Sequence, residues 1–202
     1  MSEEKILETA EYKPSKALST VFEWMSAAVT ALVLLALVFA CLFRMVKVEG
    51  QSMEPTLQNS DQMLLSSLPY NNPEFGDIVV ITGVHTDPLI KRVIGVPGDT
   101  IYIDPVNGDV YRNDVILDEP YIRETFIGKT KDGQTKMGTP AYRLSERFTV
   151  PEDAVFVMGD NRGASLDSRQ IYEYKNGCIP LKHVVGKVLY RVSPNGGSIY
   201  KE

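Results

Sequence analysis

The chain has 202 residues, of which 44% are hydrophobic and 23% are charged. These proportions exclude disorder throughout the chain, and the length suits one domain of ordinary size or a core with a small insertion. The formal net charge of −5 at pH 7 gives no basic footprint, which argues against a nucleic-acid partner.

The cysteines and histidines indicate neither a disulfide nor a metal site. Cys41 lies inside an apolar run and Cys178 lies far along the polar part, so we expect no bond between them. This count does not distinguish an oxidising compartment from a reducing one. His85 and His183 lack the spacing of metal ligands and are interpreted as ordinary surface or loop residues. We therefore expect no metal and no cofactor.

A long apolar segment follows a polar start. Residues 1–23 are mixed in charge and are predicted to form a short flexible tail. Residues 24–43 carry no charge, and at a rise of about 1.5 Å per residue they span roughly 30 Å, the thickness of a bilayer's hydrocarbon core. The segment predicts a transmembrane helix, with Trp24 at one interface and Arg44 and Lys47 at the other.

Two alternatives would remove this helix from the mature protein. A cleaved secretory signal has an apolar region of about 7 to 15 residues after a basic start, whereas this region is longer and follows an acidic tail. Cleavage before Cys41, as in a lipoprotein, is compatible with Ala40 but not with the bulky Phe39. We expect the helix to be retained as an anchor. The basic residues on its two sides differ too little to set its orientation.

After the anchor, the chain is predicted to form short strands separated by turns. The strand segments are rich in Val, Ile, Leu and Tyr, and they are 62–68, 77–82, 89–96, 100–103, 154–158 and 184–192. Asn107-Gly108 is a strong hairpin signal, and 129–138 is polar and is predicted to be an exposed loop.

The pattern predicts a mostly β fold. We expect an antiparallel β-sheet core from 44–99 and 152–202, with 100–151 as a small inserted β excursion, all preceded by the one transmembrane helix 24–43.

Ser52 is a candidate nucleophile. It lies between Gly50, which permits unusual φ values, and Pro55, which fixes φ, so its hydroxyl is held in a defined direction. Taken alone, the segment is more typical of a turn capped by a hydroxyl than of a nucleophile, and the later motifs are what favour the nucleophile.

A serine nucleophile needs a base, and Lys91 is the candidate. It lies in an apolar strand segment, where alternation places it on the same face as Leu89 and Val93. Poor solvation lowers the pKa of a lysine and makes it a base near neutral pH. The alternative is a strand lysine whose side chain points to water.

A third block, residues 158–169, has a high density of hydrogen-bonding groups directly after a predicted buried strand. Such a block is typical of a loop that braces a site, and it is also compatible with a solvated polar loop.

Four ordered blocks behind an N-terminal membrane helix resemble the bacterial type I signal peptidases. These blocks read EGQSMEPTL, GDIVVI, IKRVIGVPGD and MGDNRGASLDSR. The single anchor is similar to the short form of Gram-positive bacteria. The resemblance runs from Ser52 to Arg169 and includes Gly186-Lys187 near the end.

The resemblance implies a role for each matched residue. Ser52 matches the nucleophile, Lys91 the general base, and Ser165 the serine that orients the lysine. Two supporting ion pairs match Asp167 with Arg169 and Arg92 with Asp160. The family lines its shallow pockets for small substrate residues at four positions, which here are Val48, Met53, Leu57 and Ile90.

The chain departs from the family pattern at three places. Gly50 stands where some members carry a serine hydroxyl in the oxyanion hole, so backbone N–H groups, chiefly that of Ser52, would serve. Gly163-Ala164 replace a more usual acidic or amide pair. Residues 170–180 are longer than the family's usual turn, and the sequence offers no function for them.

The resemblance implies cleavage of membrane-bound preproteins after small residues, by an acyl-enzyme on Ser52, with the catalytic part outside the cell membrane. The partners expected are signal peptides and the lipid bilayer; no oligomeric state is indicated. Two alternatives stay open: another Ser/Lys protease of the same fold, or a catalytically silent, membrane-tethered peptide-binding protein.

Overall fold

The structure, a computed structural model, describes residues 16–105, 108–122, 146–171, 173–193, 196, 197 and 199, and the backbone alone of 127–129 and 135–137. The chain divides into two compact units, Met1–Cys41 and Leu42–Glu202. The predicted tail lies largely outside the described residues, and Asn107 of the predicted hairpin turn does so as well.

The first unit contains helix α1, Lys16–Leu42, which has 27 residues and buries none of its side chains. Among the described residues it is the one helix long and apolar enough to cross a membrane, which is consistent with a single-pass anchor. The helix begins before the predicted segment because polar residues extend it; Thr20 donates its hydroxyl to the Lys16 carbonyl at 2.9 Å.

The described part of the second unit contains thirteen strands. They are β1 Phe43–Lys47, β2 Gln62–Ser66, β3 Ile78–Ile81, β4 Leu89–Gly95, β5 Thr100–Ile103, β6 Val110–Arg112, β7 Val115–Ile116, β8 Ile127–Lys129, β9 Thr135–Met137, β10 Phe148–Thr149, β11 Ala154–Met158, β12 Ile179–Pro180 and β13 Val184–Ser193.

These strands form three antiparallel sheets. The main sheet has seven strands in the order β1-β2-β13-β3-β4-β11-β12, the second has the order β10-β5-β6-β7, and β8 pairs with β9. The prediction of a mostly antiparallel β fold is therefore confirmed. The last strand, β13, lies between β2 and β3 in the main sheet.

Both faces of the main sheet are buried at β3. In β3, Ile78 and Val80 pack into one cluster while Val79 and Ile81 pack into another on the opposite face. A third cluster joins the two larger sheets, because Phe156 of β11 packs with residues of the second sheet; its ring lies 5.2 Å from that of Phe148. The alternation of a strand explains why one short apolar run serves two clusters.

The chain around β12 contributes to the apolar cluster on one face of the main sheet. Ile171 and Ile179 are buried in the cluster on that face. The Tyr174 hydroxyl lies 2.9 Å from Nε2 of His183, and Nδ1 of His183 lies 3.0 Å from the Thr82 carbonyl oxygen. Since a carbonyl only accepts, Nδ1 of His183 donates its hydrogen to Thr82. His183 is therefore half-buried and bonded, rather than an ordinary surface residue.

Two elements differ from the sequence-based expectations. β1 was not expected, because the membrane segment was predicted to run to Phe43; instead the chain pairs with β2, with Met45 opposite Leu64. The loop predicted for 129–138 is partly wrong, since β8 pairs antiparallel with β9, with Lys129 opposite Thr135. Residues 130–134 of the predicted loop lie outside the described residues.

A substitution at Gly186 of β13 tests how closely β13 packs on β2 in the main sheet. A Cβ there would lie 1.8 Å from the Ser66 carbonyl oxygen, whereas a Cβ at Gly197 would meet nothing within 4 Å. Gly186→Ala is expected to cost about 1–3 kcal/mol of unfolding free energy because the β2 backbone must move. Thermal unfolding of the full chain in detergent checks this, with Gly197→Ala as the matched control. Equal Tm values for both variants would contradict the packing described.

Candidate active site

The loop that carries Ser52 is fixed by its own backbone and by the core. The N–H of Leu57 donates to the Met53 carbonyl at 2.9 Å, and the N–H of Gly50 donates to Oδ1 of Asn59 at 3.0 Å. Met53 and Leu57 are buried in the same apolar cluster, while Ser52, which directly precedes Met53, is half-buried. The apolar residues therefore hold the loop and leave the hydroxyl accessible.

Lys91 lies in the middle of β4, opposite Val79 of β3, and is 2% exposed. Its Nζ lies 2.7 Å from Oγ of Ser52, which is 39 residues earlier in the chain, and 2.8 Å from the Ile90 carbonyl oxygen. The Ile90 carbonyl accepts a hydrogen from the amine, so a neutral amine keeps its lone pair for the Ser52 hydroxyl. The two groups are placed for direct proton transfer.

Burial lowers the pKa of Lys91 from 10.5 to about 8. Loss of hydration is the largest cause, and Asp167 and Asp160 oppose it by favouring the ammonium ion, while Arg169 adds to the lowering. At pH 7 a pKa of about 8 leaves roughly a tenth of the amine neutral, about 300-fold more than a pKa of 10.5 would.

Asp167 is the centre of the loop formed by residues 158–169. Its carboxylate accepts two hydrogen bonds at 2.8 Å from the Arg169 guanidinium, one at 2.9 Å from the Gly159 N–H and one at 2.7 Å from the Ser165 hydroxyl. Burial alone would raise the pKa of Asp167, but the charge and hydrogen bonds of Arg169 hold it below its usual range. This carboxylate is therefore ionised and fully occupied.

Ser165 differs from its expected role of orienting the lysine through a direct bond. Its hydroxyl donates to Oδ2 of Asp167, and the hydrogen bonds that Lys91 makes in the described part of the chain go to Ser52 and Ile90. A buried ionised carboxylate is a stronger acceptor than an amine, which explains the preference of the hydroxyl. Ser165 thus acts on Asp167 in this structure.

Arg92 and Asp160 join the three parts of the site. The Arg92 guanidinium donates two bonds to the Asp160 carboxylate, at 2.8 and 2.7 Å, in a buried bidentate pair. The Thr56 hydroxyl, from the Ser52 loop, donates to the same carboxylate at 2.5 Å. The lysine strand, the 158–169 loop and the serine loop therefore meet at one carboxylate.

Sequence reasoning missed Asn161, which ties the same elements a second time. Its backbone N–H donates to the Ser52 carbonyl at 3.0 Å, and its side-chain amide donates to the Gln51 carbonyl at 3.1 Å. Gly159 permits this approach, because a Cβ there would lie 2.2 Å from Oγ of Ser165 and 2.5 Å from the Ser52 carbonyl oxygen. Only glycine fits between these loops.

Sequence reasoning also missed a segment of the predicted excursion, residues 117–122. The Glu119 carboxylate accepts hydrogen bonds from both terminal nitrogens of the buried Arg162 guanidinium, one of them at 2.8 Å. It also accepts a hydrogen bond from the Tyr121 hydroxyl at 2.9 Å. The Tyr121 ring covers the Arg92 guanidinium, with 4.1 Å from Cζ to the ring centroid. No motif in this segment marked it as part of the site.

The four predicted pocket residues belong to one apolar cluster. Val48, Met53 and Leu57 are 3%, 1% and 0% exposed, and Ile90 is half-buried against them. In this structure Ile90 is the member of this set with accessible surface.

The backbone beside Ser52 suits a developing negative charge. Within the part of the chain that the structure describes, the Ser52 N–H donates no hydrogen bond. Gly50 has a φ of 95° and adds no side-chain donor. Among the described residues, no group of three His, Cys, Asp or Glu side chains is placed to hold a metal ion.

Comparison with known proteins identifies the family. The model of the family described as "Signal peptidase, peptidase S26" matches residues 21–193. Signal peptidase I P of Bacillus subtilis subsp. natto is 36% identical over 160 residues, covering 78% of this chain and 83% of the relative. Signal peptidase I of Bacillus licheniformis is 36% identical over 182 residues, covering 87% and 90%.

A solved signal peptidase I from Enterococcus faecalis V583 is 29% identical and covers 57% of this chain and 96% of its own, with a TM-score of 0.40. The assignment rests on the family model and on the relatives above. The chain therefore belongs to the signal peptidase family, peptidase S26, and is a hydrolase of that family.

Proposed function

We propose that this enzyme removes N-terminal signal peptides from secreted preproteins by a Ser/Lys acyl-enzyme mechanism. The observation that carries the proposal is the 2.7 Å separation between Oγ of Ser52 and the buried Nζ of Lys91. A lysine with this environment supplies the base that the serine lacks, whereas the exposed His85 accepts a hydrogen bond at Nδ1 from the Asp87 N–H.

The first half-reaction forms an ester on Ser52. Neutral Lys91 takes the hydroxyl proton as Oγ attacks the carbonyl carbon of the scissile bond, and the carbonyl π electrons move to the oxygen. The Ser52 N–H stabilises that oxyanion. When the intermediate collapses, the C–N bond breaks, the Lys91 ammonium gives its proton to the leaving amine, and the signal peptide stays bound as an acyl group.

The second half-reaction restores the enzyme. Lys91, neutral again, takes a proton from a water molecule that attacks the ester carbonyl. Collapse of the second intermediate returns the proton to Oγ of Ser52 and releases the signal peptide with a new carboxyl end. Asp167 and Asp160 each keep an arginine partner throughout, so neither competes for the proton.

An extended substrate fits beside β4. Strand β11 pairs with β4 only from Arg92 to Gly95, so among the described strands the segment from Leu89 to Lys91 has a neighbour only on the β3 side. An added peptide strand would pair at such an edge and bring its carbonyl group to Ser52. Ile90 then faces the small residues that precede the cleaved bond.

Helix α1 supports a membrane substrate. As a single-pass anchor it would hold the enzyme where signal peptides emerge and would replace a three-dimensional search with a local one. We place the catalytic unit outside the cell membrane and residues 1–23 in the cytoplasm.

Substitution of each member of the dyad tests the mechanism. Ser52→Ala and Lys91→Ala should each lower cleavage of a preprotein by at least about 10³-fold, because nucleophile and base act as one unit. Ser60→Ala, in the same stretch but exposed, is the matched control and should cleave at the wild-type rate. Activity in all three variants would overturn the Ser/Lys mechanism, and wild-type protein that never cleaves would favour the silent peptide-binding alternative.

The pH dependence of cleavage tests the base. Because the reaction needs neutral Lys91, kcat/KM should rise about tenfold per pH unit below pH 8 and level off above it. This rise of the rate below pH 8 should be absent from the residual activity of Lys91→Ala. A rate that is constant from about pH 6 to about pH 9 would count against Lys91 as the base.

Protease protection in intact cells tests the orientation. An epitope placed before Lys16 should resist protease added outside, and one placed after Ser193 should be digested. Permeabilised cells are the control in which both epitopes are lost. The reverse pattern would place the catalytic unit in the cytoplasm and contradict the proposal.

A further inference from the structure

Residues 117–122 follow β7 of the second sheet and contact two buried arginines of the site. These are Arg92, which is next to Lys91, and Arg162, which is next to Asn161. Tyr121 is linked to both arginines. Its ring lies on the Arg92 guanidinium, and its hydroxyl donates to Glu119, which is the ion-pair partner of Arg162.

The N–H groups of the Arg92 guanidinium already have hydrogen-bond acceptors in the plane of the group. Nε and Nη2 donate to Asp160, Nη1 donates to the Gly76 carbonyl at 2.9 Å, and Nη2 also lies 3.4 Å from Oγ1 of Thr56. These bonds fix the guanidinium within its plane, and the Tyr121 ring, 4.1 Å away, covers a face of that plane. Cation–π contact of this kind is strongest where water is excluded.

We propose that Tyr121 is a positioning residue: its ring holds the Arg92 guanidinium on Asp160 and so holds the Ser52 loop against the Lys91 strand. The inference rests on the proposed Ser/Lys mechanism. Tyr121 is half-buried and makes its contacts through Arg92 and Glu119, so it acts through them on the reacting atoms.

The charges around the Lys91 amine give this role a signature that simple destabilisation lacks. Those charges are Asp167 and Asp160, which favour the ammonium ion, and Arg169, which disfavours it. If Arg92 moves away from Asp160, the Asp160 charge is less neutralised and the pKa of Lys91 rises. Loss of the Tyr121 ring should therefore shift the acid limb of the rate upward.

A leucine at position 121 has room to be accommodated. Tyr121 borders a cavity of about 690 Å³ that is also lined by Arg92, Thr56 and Phe75. Removing the ring enlarges an existing opening instead of forcing side chains to repack. Phenylalanine keeps the ring and loses only the hydroxyl bond to Glu119.

The test compares Tyr121→Leu, Tyr121→Phe and Tyr111→Leu in the full-length enzyme in detergent. Tyr111 is a half-buried tyrosine of the second sheet whose ring lies 5.6 Å from that of Tyr102, and it serves as the matched control. We expect Tyr121→Leu to lower kcat about 10-fold or more with KM within about twofold, because misplacement costs rate rather than binding. The acid limb should move up by about half a pH unit. Tyr121→Phe and Tyr111→Leu should stay within about threefold of wild type.

Two results would overturn the inference. The first is a wild-type kcat and acid limb in Tyr121→Leu. The second is a lower Tm of Tyr121→Leu with an unchanged acid limb of the pH–rate profile and an unchanged kcat per active Ser52. That result would reduce Tyr121 to a structural role. Ser52→Ala is assayed alongside: if it cleaves like wild type the proposed mechanism fails, whereas if it is inactive those two results count against Tyr121 alone.

Discussion

The whole arrangement depends on keeping one amine out of water. In the proposed mechanism Lys91 can serve as the base because burial lowers its pKa to about 8, and an unpaired buried ammonium is among the most costly groups a protein can hold. The surrounding structure is organised to tolerate that group in its neutral form. Strand β3 covers it from one side, the Ser52 hydroxyl and the Ile90 carbonyl satisfy it, and the main sheet keeps solvent away.

The two buried aspartates near this amine favour its ammonium form and so oppose the lowering of its pKa. Each is neutralised by a bidentate arginine, Asp160 by Arg92 and Asp167 by Arg169. Their carboxylates can then serve as fixed acceptors for hydroxyls and backbone N–H groups without binding the catalytic proton. The same ion pairs thus provide rigidity, and Arg169 offsets part of the effect that the two carboxylates have on the pKa of Lys91.

Much of this was predictable from the sequence, for identifiable reasons. The strands from β2 to β5 were predicted within two residues, since apolar alternation and turn residues mark them locally. The order of the motif blocks brought Ser52, Lys91 and the 158–169 loop into one hypothesis. Local patterns did not show that Ser165 turns to Asp167, that Asn161 holds the Ser52 backbone, or that Tyr121 lies on Arg92. Those contacts join residues far apart in sequence or depend on a competition between acceptors, and neither leaves a local pattern.

The strand order of the main sheet also governs when the enzyme can become active during its synthesis. β13 is the last strand made, yet it lies between β2, which follows the Ser52 loop, and β3, which pairs with the Lys91 strand. Until residues 184–193 leave the ribosome, the Ser52 loop and the Lys91 strand have no strand to join them within the sheet. The two groups of the proposed mechanism therefore come together only after this late strand has been made.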